Sequence, residues 1–345
     1  MAFQFGSCRK PKPNDSEVPI VITNAFLILN EGLFQHNNSE LTYFNWNTHQ
    51  QHDHMFEAKN EWGMGDTGND MGIYGEKLYI AMNNSHIIHV LNRRTGRLFH
   101  QISLSENGIG ASPRSLAFHN GKIYVSAFNG YLYKIDTTTF GIENKIQLGS
   151  NPDQMVLLNN ELWVSNSGGL TELGDSTVSV IDLLNFSEIQ RITVGRNPGS
   201  IVSDGSNRIF VVSRGNYTNI PSKLLQIDAL SKTVVLNENK TISSLKYFGN
   251  QLYALGYDYQ TSSSSLRLID PSNFEYLSGN LIEHLPLQTL YNMDKLSVFG
   301  QQIYVFLDAR QFIHQGKVLV CDLNFNLLFE FTVGLNPTKL IYNED

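Results

Sequence analysis

The chain has 345 residues, 41% hydrophobic content and a net charge of -7, which allows one large domain or two ordinary ones. The acidic balance argues against a nucleic-acid partner, because such proteins usually carry a basic surface. No apolar run is long enough to span a bilayer as a helix. The two cysteines give no disulfide framework, and Cys321 is predicted to be a free core thiol rather than a disulfide partner of Cys8.

Residues 1–20 are predicted to be a lipoprotein leader and flexible tether. Small residues precede Cys8, as at the end of a bacterial lipoprotein signal, and a polar, Pro-containing segment follows it. Residues 1–5 are too short for the charged and apolar parts of a complete signal, so the start codon is expected upstream. This pattern predicts lipidation of Cys8; the alternative is a disordered N terminus with an incidental cysteine.

From residue 21 to residue 345 the sequence predicts a single domain built from one repeated unit. Each unit has a polar turn followed by a short strand with a central aromatic residue, and the aromatic residues recur every 39–51 residues. They are Tyr79, Tyr124, Trp163, Phe210, Tyr253 and Tyr304. A second strand ending near an acidic or amide residue follows, and then an outer strand. This length suits one four-stranded β-propeller blade per unit.

The two ends of the domain predict how the ring closes. Six units are complete, and Asn-Pro pairs such as Asn336-Pro337 end an outer strand and start the next inner one. The chain then ends on a lone inner strand, 337–342, and begins with second and third strands at 25–30 and 40–45. Pairing the two ends completes a seventh blade and removes the exposed edges. The prediction is an all-β, seven-bladed propeller closed by its N- and C-terminal strands, with six or eight blades or a β-helix as alternatives.

The long loops are expected on one face, around the mouth of the central channel. They join second to third strands at 31–39, 165–176, 213–222, 256–264 and 308–316, whereas the opposite face has short turns. Their aromatic, Arg, Asn and His side chains suit a large ligand with apolar faces and many amide or carbonyl groups. The predicted ligand-binding residues are Phe34, Asn166, Arg214, Asn216, Tyr217, Tyr257, Tyr259, Arg310, Phe312 and His314. The alternative for each aromatic residue is that it packs its loop onto the blade.

Motifs for catalysis and for metal binding are weak in this sequence. The segment 66–70 resembles a calcium loop but lacks its ligand spacing, so a turn before a strand is favoured. A metal site at His49, His52, Asp53 and His54 is disfavoured, because strand alternation would separate neighbouring side chains. No nucleophile elbow and no phosphate-binding P-loop are present. We therefore expect a protein that is not an enzyme and has no resident cofactor or metal.

Several segments resemble the YncE-like propellers grouped as DUF5074. They are 29–32 with 41–44, 65–70, 164–169, 212–217 with 221–223, and 308–310 with 316–317. Within that group the chain is most similar to BtuG-type surface lipoproteins. The resemblance implies a lipid-anchored propeller on the surface of a Gram-negative outer membrane, which captures cobalamin or a related corrinoid. It also implies transfer of that ligand to a TonB-dependent barrel transporter as partner.

Two other functions remain open from the sequence. The looped face could dock on an outer-membrane barrel, the chain then being a structural subunit without a small ligand. An enzyme such as a propeller lactonase or lyase would require clustered carboxylates or a metal at the channel mouth.

Overall fold

The computed structural model describes residues 21–169, 174–258, 261 and 263–345. The described strands form seven antiparallel sheets around a central channel, as the repeats predict, together with one two-stranded hairpin. The predicted leader, 1–20, lies outside the described residues together with Cys8. Leader, tether and lipidation site therefore stay predictions.

The elements follow one another along the chain with short connections. They are β1 (Ala25–Asn30), β2 (Glu40–Asn45), β3 (Gln51–His52), α1 (Met55–Asn60), β4 (Gly68–Tyr74), β5 (Lys77–Met82), β6 (Ile87–Asn92), β7 (Leu98–Ser103), β8 (Ser105–Glu106), β9 (Ile109–Gly110), β10 (Pro113–His119), β11 (Lys122–Ala127), β12 (Tyr131–Asp136), β13 (Ile142–Gln147), β14 (Pro152–Leu158), β15 (Glu161–Asn166), β16 (Thr177–Asp182), β17 (Ser187–Thr193), β18 (Pro198–Ser203), β19 (Arg208–Ser213), β20 (Lys223–Asp228), β21 (Thr233–Asn239), β22 (Ser244–Phe248), β23 (Gln251–Asp258), β24 (Ser263–Ile269), β25 (Leu290–Val298), β26 (Gln301–Asp308), the 3-10 helix Arg310–Phe312, β27 (Gln315–Cys321), β28 (Leu327–Leu335) and β29 (Pro337–Asn343).

Each blade is numbered here by its inner strand. Blades 1 to 4 are β4–β7, β10–β13, β14–β17 and β18–β21; blade 5 is β22–β24, blade 6 is β25–β28, and blade 7 is β29 with β1–β3. Neighbouring inner strands contact one another all the way round, from β4 through β25 to β29 and back to β4. The ring is therefore closed.

The chain ends meet in blade 7, which confirms the predicted closure. Strands β1 and β29 are antiparallel partners, with Leu27 opposite Ile341 and Ile28 opposite Leu340. The buried Asn343 side chain adds hydrogen bonds to the carbonyl oxygens of Ile22 and Arg93. The first described residues, the last strand and blade 1 are thus held together at one point.

The aromatic residues that define the repeat form the core between blades. All six are buried, with exposures between 0% for Tyr79 and 4% for Tyr304. They reach the following blade: Tyr79 contacts Phe118 with ring centroids 5.3 Å apart, and the Tyr253 and Tyr304 hydroxyls lie 2.6 Å apart. Because each blade buries its face against its neighbour, the ring gives one continuous core. Cys321 lies in this core as a free thiol, as predicted.

Blade 5 departs from the predicted four strands, because it has three. After β24 the chain runs irregularly through Tyr276–Leu281, whose Ser, Gly and Asn residues form strands poorly. Side chains replace the missing ladder: Asn280 Oδ1 accepts from the Leu266 amide at 3.0 Å, and Ser278 Oγ accepts from the Leu268 amide at 2.9 Å. The outer edge of β24 is therefore capped without a fourth strand.

His89 makes stability depend on pH. Its ring is 1% exposed against Phe56 of α1; Nε2 donates to the Met64 carbonyl at 2.7 Å, and Nδ1 has no partner in the described chain. Burial lowers the His89 pKa, opposed by the bond to Met64. The unfolded chain binds this proton more readily, so the free energy of unfolding should fall as pH drops below about 6.5.

We expect His89→Leu to remove up to about 1.4 kcal/mol per pH unit of this dependence below pH ~6.5, measured by denaturant unfolding between pH 7 and 5. The exposed His314→Leu serves as the control and should keep the wild-type slope. A slope unchanged in His89→Leu would contradict this assignment.

Candidate functional site

A funnel opens at the channel mouth on the face that carries the long loops. It is a cavity of about 730 Å³, within the range of small-molecule sites, and it is lined by the first residues of inner strands and by loop side chains. The Pro residues that begin β10, β14, β18 and β29 bring the next residues, such as Arg114, Asp153, Gly199 and Lys339, to this end of the channel. The funnel is therefore built mainly by strand starts, with the loops as its rim.

Three ion pairs join neighbouring blades inside the funnel. Each links an acidic residue to a basic residue of the adjacent inner strand, at distances of 3.3–3.4 Å. They are Arg114–Asp153, Lys246–Asp294 and Lys339–Asp70. The Asp70 charge raises the pKa of Lys339 against the opposing effect of burial, so this lysine stays protonated. These cations are neutralised within the protein and are not free to bind a ligand anion.

Arg214 differs from these paired cations. Among the described residues no carboxylate lies within ion-pair distance of its guanidinium, although the group is half-buried in the funnel wall. Its seat is the bare backbone of Gly199, where an added Cβ would lie 2.3 Å from Arg214 Cζ. The missing side chain at Gly199 therefore allows a planar set of donors to lie flat against the wall and face the cavity.

Tyr291 stands at the centre of the charged groups. Its pKa is raised by burial and by the Glu31 charge, and this outweighs the lowering effect of Arg114 and Arg214. The phenol is therefore protonated at neutral pH and can donate a hydrogen bond. Its ring is 42% exposed towards the funnel and meets Phe312 edge-to-face, with centroids 5.8 Å apart.

Glu31 adds a carboxyl group with an altered pKa beside this cluster. Burial raises its pKa, with Arg114 opposing and Asp66 adding to the shift. Asp66 behaves in the opposite way, because hydrogen bonds from Thr67, Asn84 and the Gln35 amide outweigh burial and lower its pKa. Asp66 thus organises the turn into β4, which is the predicted role of this segment.

The structure brings four of the ten predicted ligand-binding residues together in the funnel. They are Arg214, Tyr217, Tyr257 and Phe312. Phe34, Arg310 and His314 lie on the same face but do not line the funnel, and Phe34 is 62% exposed. Tyr259 lies outside the described residues.

Two predicted ligand contacts have their polar groups engaged within the protein. The Oδ1 of Asn216 accepts from the amides of Thr218, Asn219 and Ile220 at 2.7–3.2 Å, so it folds the loop that carries Tyr217 over the funnel. Asn166 is fully buried, and its Nδ2 donates to Thr177 and Ser179 in blade 3. Both positions shape the site from outside the cavity.

The sequence analysis missed the residues contributed by inner strands. The main ones are Asn69, Asp70, Arg114, Asp153, Tyr291 and Lys339. A signal existed, because a polar residue directly after the Pro that starts an inner strand, as in Pro113-Arg114 and Pro152-Asp153, has to face the channel. The loops attracted attention because they are longer.

The His-rich segment after β2 makes local contacts. His54 Nδ1 lies 2.5 Å from Glu40 Oε2, and His49 stacks on Phe329 with centroids 5.1 Å apart. Within residues 21–169, 174–258, 261 and 263–345, no group of three or more His, Cys, Asp or Glu residues is arranged to hold a metal ion. No helix in that same part of the chain is long and apolar enough to cross a membrane.

The fold and site define a seven-bladed β-propeller with a ligand-sized funnel at its looped mouth. Residues 24–170 match the family model DUF5074, described as a domain of unknown function. With the seven-bladed ring, this match supports the DUF5074 propeller family that the sequence segments indicate. The comparison with curated proteins gave no match.

Solved structures with similar folds have diverse descriptions. Hydrazine synthase of Kuenenia stuttgartiensis has a TM-score of 0.58 at 14% identity, covering 76% of this chain and 85% of that one. Dihydro-heme d1 dehydrogenase NirN, in complex with DHE, has a TM-score of 0.58 at 11% identity, covering 97% and 78%. The computationally designed Ika8 protein has 0.56 at 14%, covering 92% of both chains. These identities show a common fold alone.

Proposed function

We propose that this protein is a non-enzymatic binding protein that captures cobalamin or a related corrinoid in the funnel. In this proposal it is lipid-anchored at Cys8 on the outer-membrane surface and passes the ligand to a TonB-dependent barrel transporter. The observation that carries the binding role is the funnel of about 730 Å³ with Arg214 as a cation lacking a carboxylate partner among the described residues. The corrinoid class and the partner rest on the resemblance to BtuG-type lipoproteins.

The chemistry of the funnel supports a large amphipathic ligand. Tyr217, Tyr257, Tyr291 and Phe312 offer flat apolar surfaces, and the protonated Tyr291 hydroxyl adds a donor. Arg214 offers a fork of donors suited to amide carbonyl groups. A corrinoid has an extended ring with many amide side chains. It is larger than the cavity, so part of it would stand above the rim, accessible to a transporter.

The raised pKa of Tyr291 favours binding over acid–base catalysis by this residue. A tyrosine that acts as general base needs a lowered pKa near the working pH. Burial and the neighbouring Glu31 act in the opposite direction here. The phenol therefore serves better as a fixed hydrogen-bond donor.

Calorimetric titration of the purified protein with cobalamin tests this proposal. We expect saturable one-site binding with a dissociation constant in the micromolar range or tighter, because a preformed rigid ring loses little entropy on binding. Absence of binding at micromolar concentrations would remove the corrinoid assignment. If a barrel also co-purified from native membranes without ligand, the structural-subunit alternative would take its place.

A further inference from the structure

A second cavity lies beside the funnel where blade 5 lacks its outer strand. It has a volume of about 520 Å³ and is bounded by the end of blade 4, at 239–242, by β23 and β24, and by the irregular segment with Tyr276 and Asn280. A regular fourth strand would run along β24, where side chains of Ser278 and Asn280 now cap the ladder. The irregular segment therefore leaves space in the ring at this blade.

Two cations meet at one tyrosine of this cavity. Lys240 Nζ lies 4.9 Å and Arg267 Cζ lies 5.1 Å from the centroid of the Tyr276 ring. In the described chain neither cation has a carboxylate within ion-pair distance, although most other cations in the channel are paired. Two like charges held close together raise the local potential and favour an anion between them.

The rest of the lining is polar and suited to an oxyanion. Ser263, Ser264 and Ser265 supply hydroxyl groups, and Asn239 and Asn280 supply amides. One carboxylate, Asp258, also lines the cavity, and its Oδ1 accepts from the Thr261 amide at 3.4 Å. The two cations outnumber this single acidic group, so the lining has an excess of positive charge.

The two cavities share a wall. Lys240 and Tyr257 line both, together with Asn239, Thr241 and Ile242. A ligand held in the funnel can therefore reach across this wall without crossing a blade. Gly256, which also lines the second cavity, carries no side chain, and a Cβ there would lie 2.7 Å from Ser265 Oγ.

We propose that the second cavity is a phosphate subsite, in which Lys240 and Arg267 bind a phosphate group carried by the ligand of the funnel. This proposal rests on the proposed function for the identity of that ligand. Cobalamin carries one phosphodiester in its nucleotide arm, whereas cobinamide is the corrinoid without that arm. The corrin ring would occupy the funnel and the nucleotide arm would extend into the cavity at blade 5.

The first experiment uses inorganic phosphate and does not depend on any corrinoid. Amide NMR of the full chain should show saturable shifts at Ser263 and Ser265 with phosphate, beyond those with chloride at equal ionic strength. The double variant Lys240→Met, Arg267→Met should abolish them. Loss of the same charge in Lys145→Met, Arg191→Met, whose cations pair with acidic residues elsewhere, should leave them unchanged. Absent shifts, or shifts that persist in the Lys240 and Arg267 variant, would overturn the subsite.

The second experiment compares cobalamin with cobinamide in the same variants. Removing Lys240 and Arg267 should weaken cobalamin binding about 10–100-fold and leave cobinamide binding unchanged. Equal weakening of both corrinoids would overturn the assignment to the phosphate. If neither corrinoid binds to wild type while phosphate does, the proposed function fails and the subsite stands as a phosphate site. Thus the two failures are distinguishable.

Discussion

Replacing Arg214 by Met is expected to weaken cobalamin binding about 10–100-fold, because each hydrogen bond to a charged group contributes about 1.5–3 kcal/mol. The methionine keeps most of the side-chain length and removes the charge and the donors. Its effect should be the same for cobinamide, since Arg214 faces the part of the funnel assigned to the ring. Calorimetry with both corrinoids measures this directly.

Arg310→Met is the matched control for this experiment. Arg310 lies on the same face in the 3-10 helix, but it does not line the funnel. The control variant should bind cobalamin like wild type. Gly199→Ala should reproduce part of the Arg214 effect, since its Cβ takes the space of the guanidinium. Equal losses in the Arg310 and Arg214 variants would show that general charge, rather than the funnel, drives binding.

Removing the last strand should have the largest effect on stability. Truncation after Asn336 deletes β29, which bares the edge of β1 and exposes buried side chains such as Phe26 and Ile28. Each such apolar side chain contributes about 1.5–3 kcal/mol when buried, and a typical domain has only about 5–15 kcal/mol in total. We expect the truncated chain to lose its cooperative thermal transition.

A shorter truncation provides the control for ring closure. Removing Glu344 and Asp345 deletes exposed contacts to Arg93 and Arg94 but keeps β29 complete. Exposed ion pairs contribute little, so this variant should unfold close to the wild-type midpoint. If the longer truncation also unfolded cooperatively at that midpoint, the ends could not be closing the ring.

The fold was largely predictable because its information is local and repeated. The turn, the aromatic residue and the second strand recur in each unit, and the unpaired strands at the two ends fit only each other. Blade 5 shows the limit of this reasoning. Whether the chain after Asp270 forms a fourth strand depends on Ser278 and Asn280 reaching specific amides, and side-chain reach is a tertiary property.

The site was less predictable because its residues come from the starts of strands in different blades. Arg214 and Tyr217 could be found, since they lie in a long loop that rises over the channel. Tyr291 and Lys339 could not be found from loop length, because they occupy inner strands whose relative rotation fixes where they meet. Asn216 looked like a ligand contact by residue type, yet its oxygen is used by its own loop.

The structure of the protein crystallised with cobalamin tests the central claim most directly. The account predicts the corrin ring in the funnel against Arg214 and Tyr291, with the phosphodiester between Lys240 and Arg267. A corrinoid bound at the short-turn face, or no bound corrinoid at saturating concentration, would contradict it.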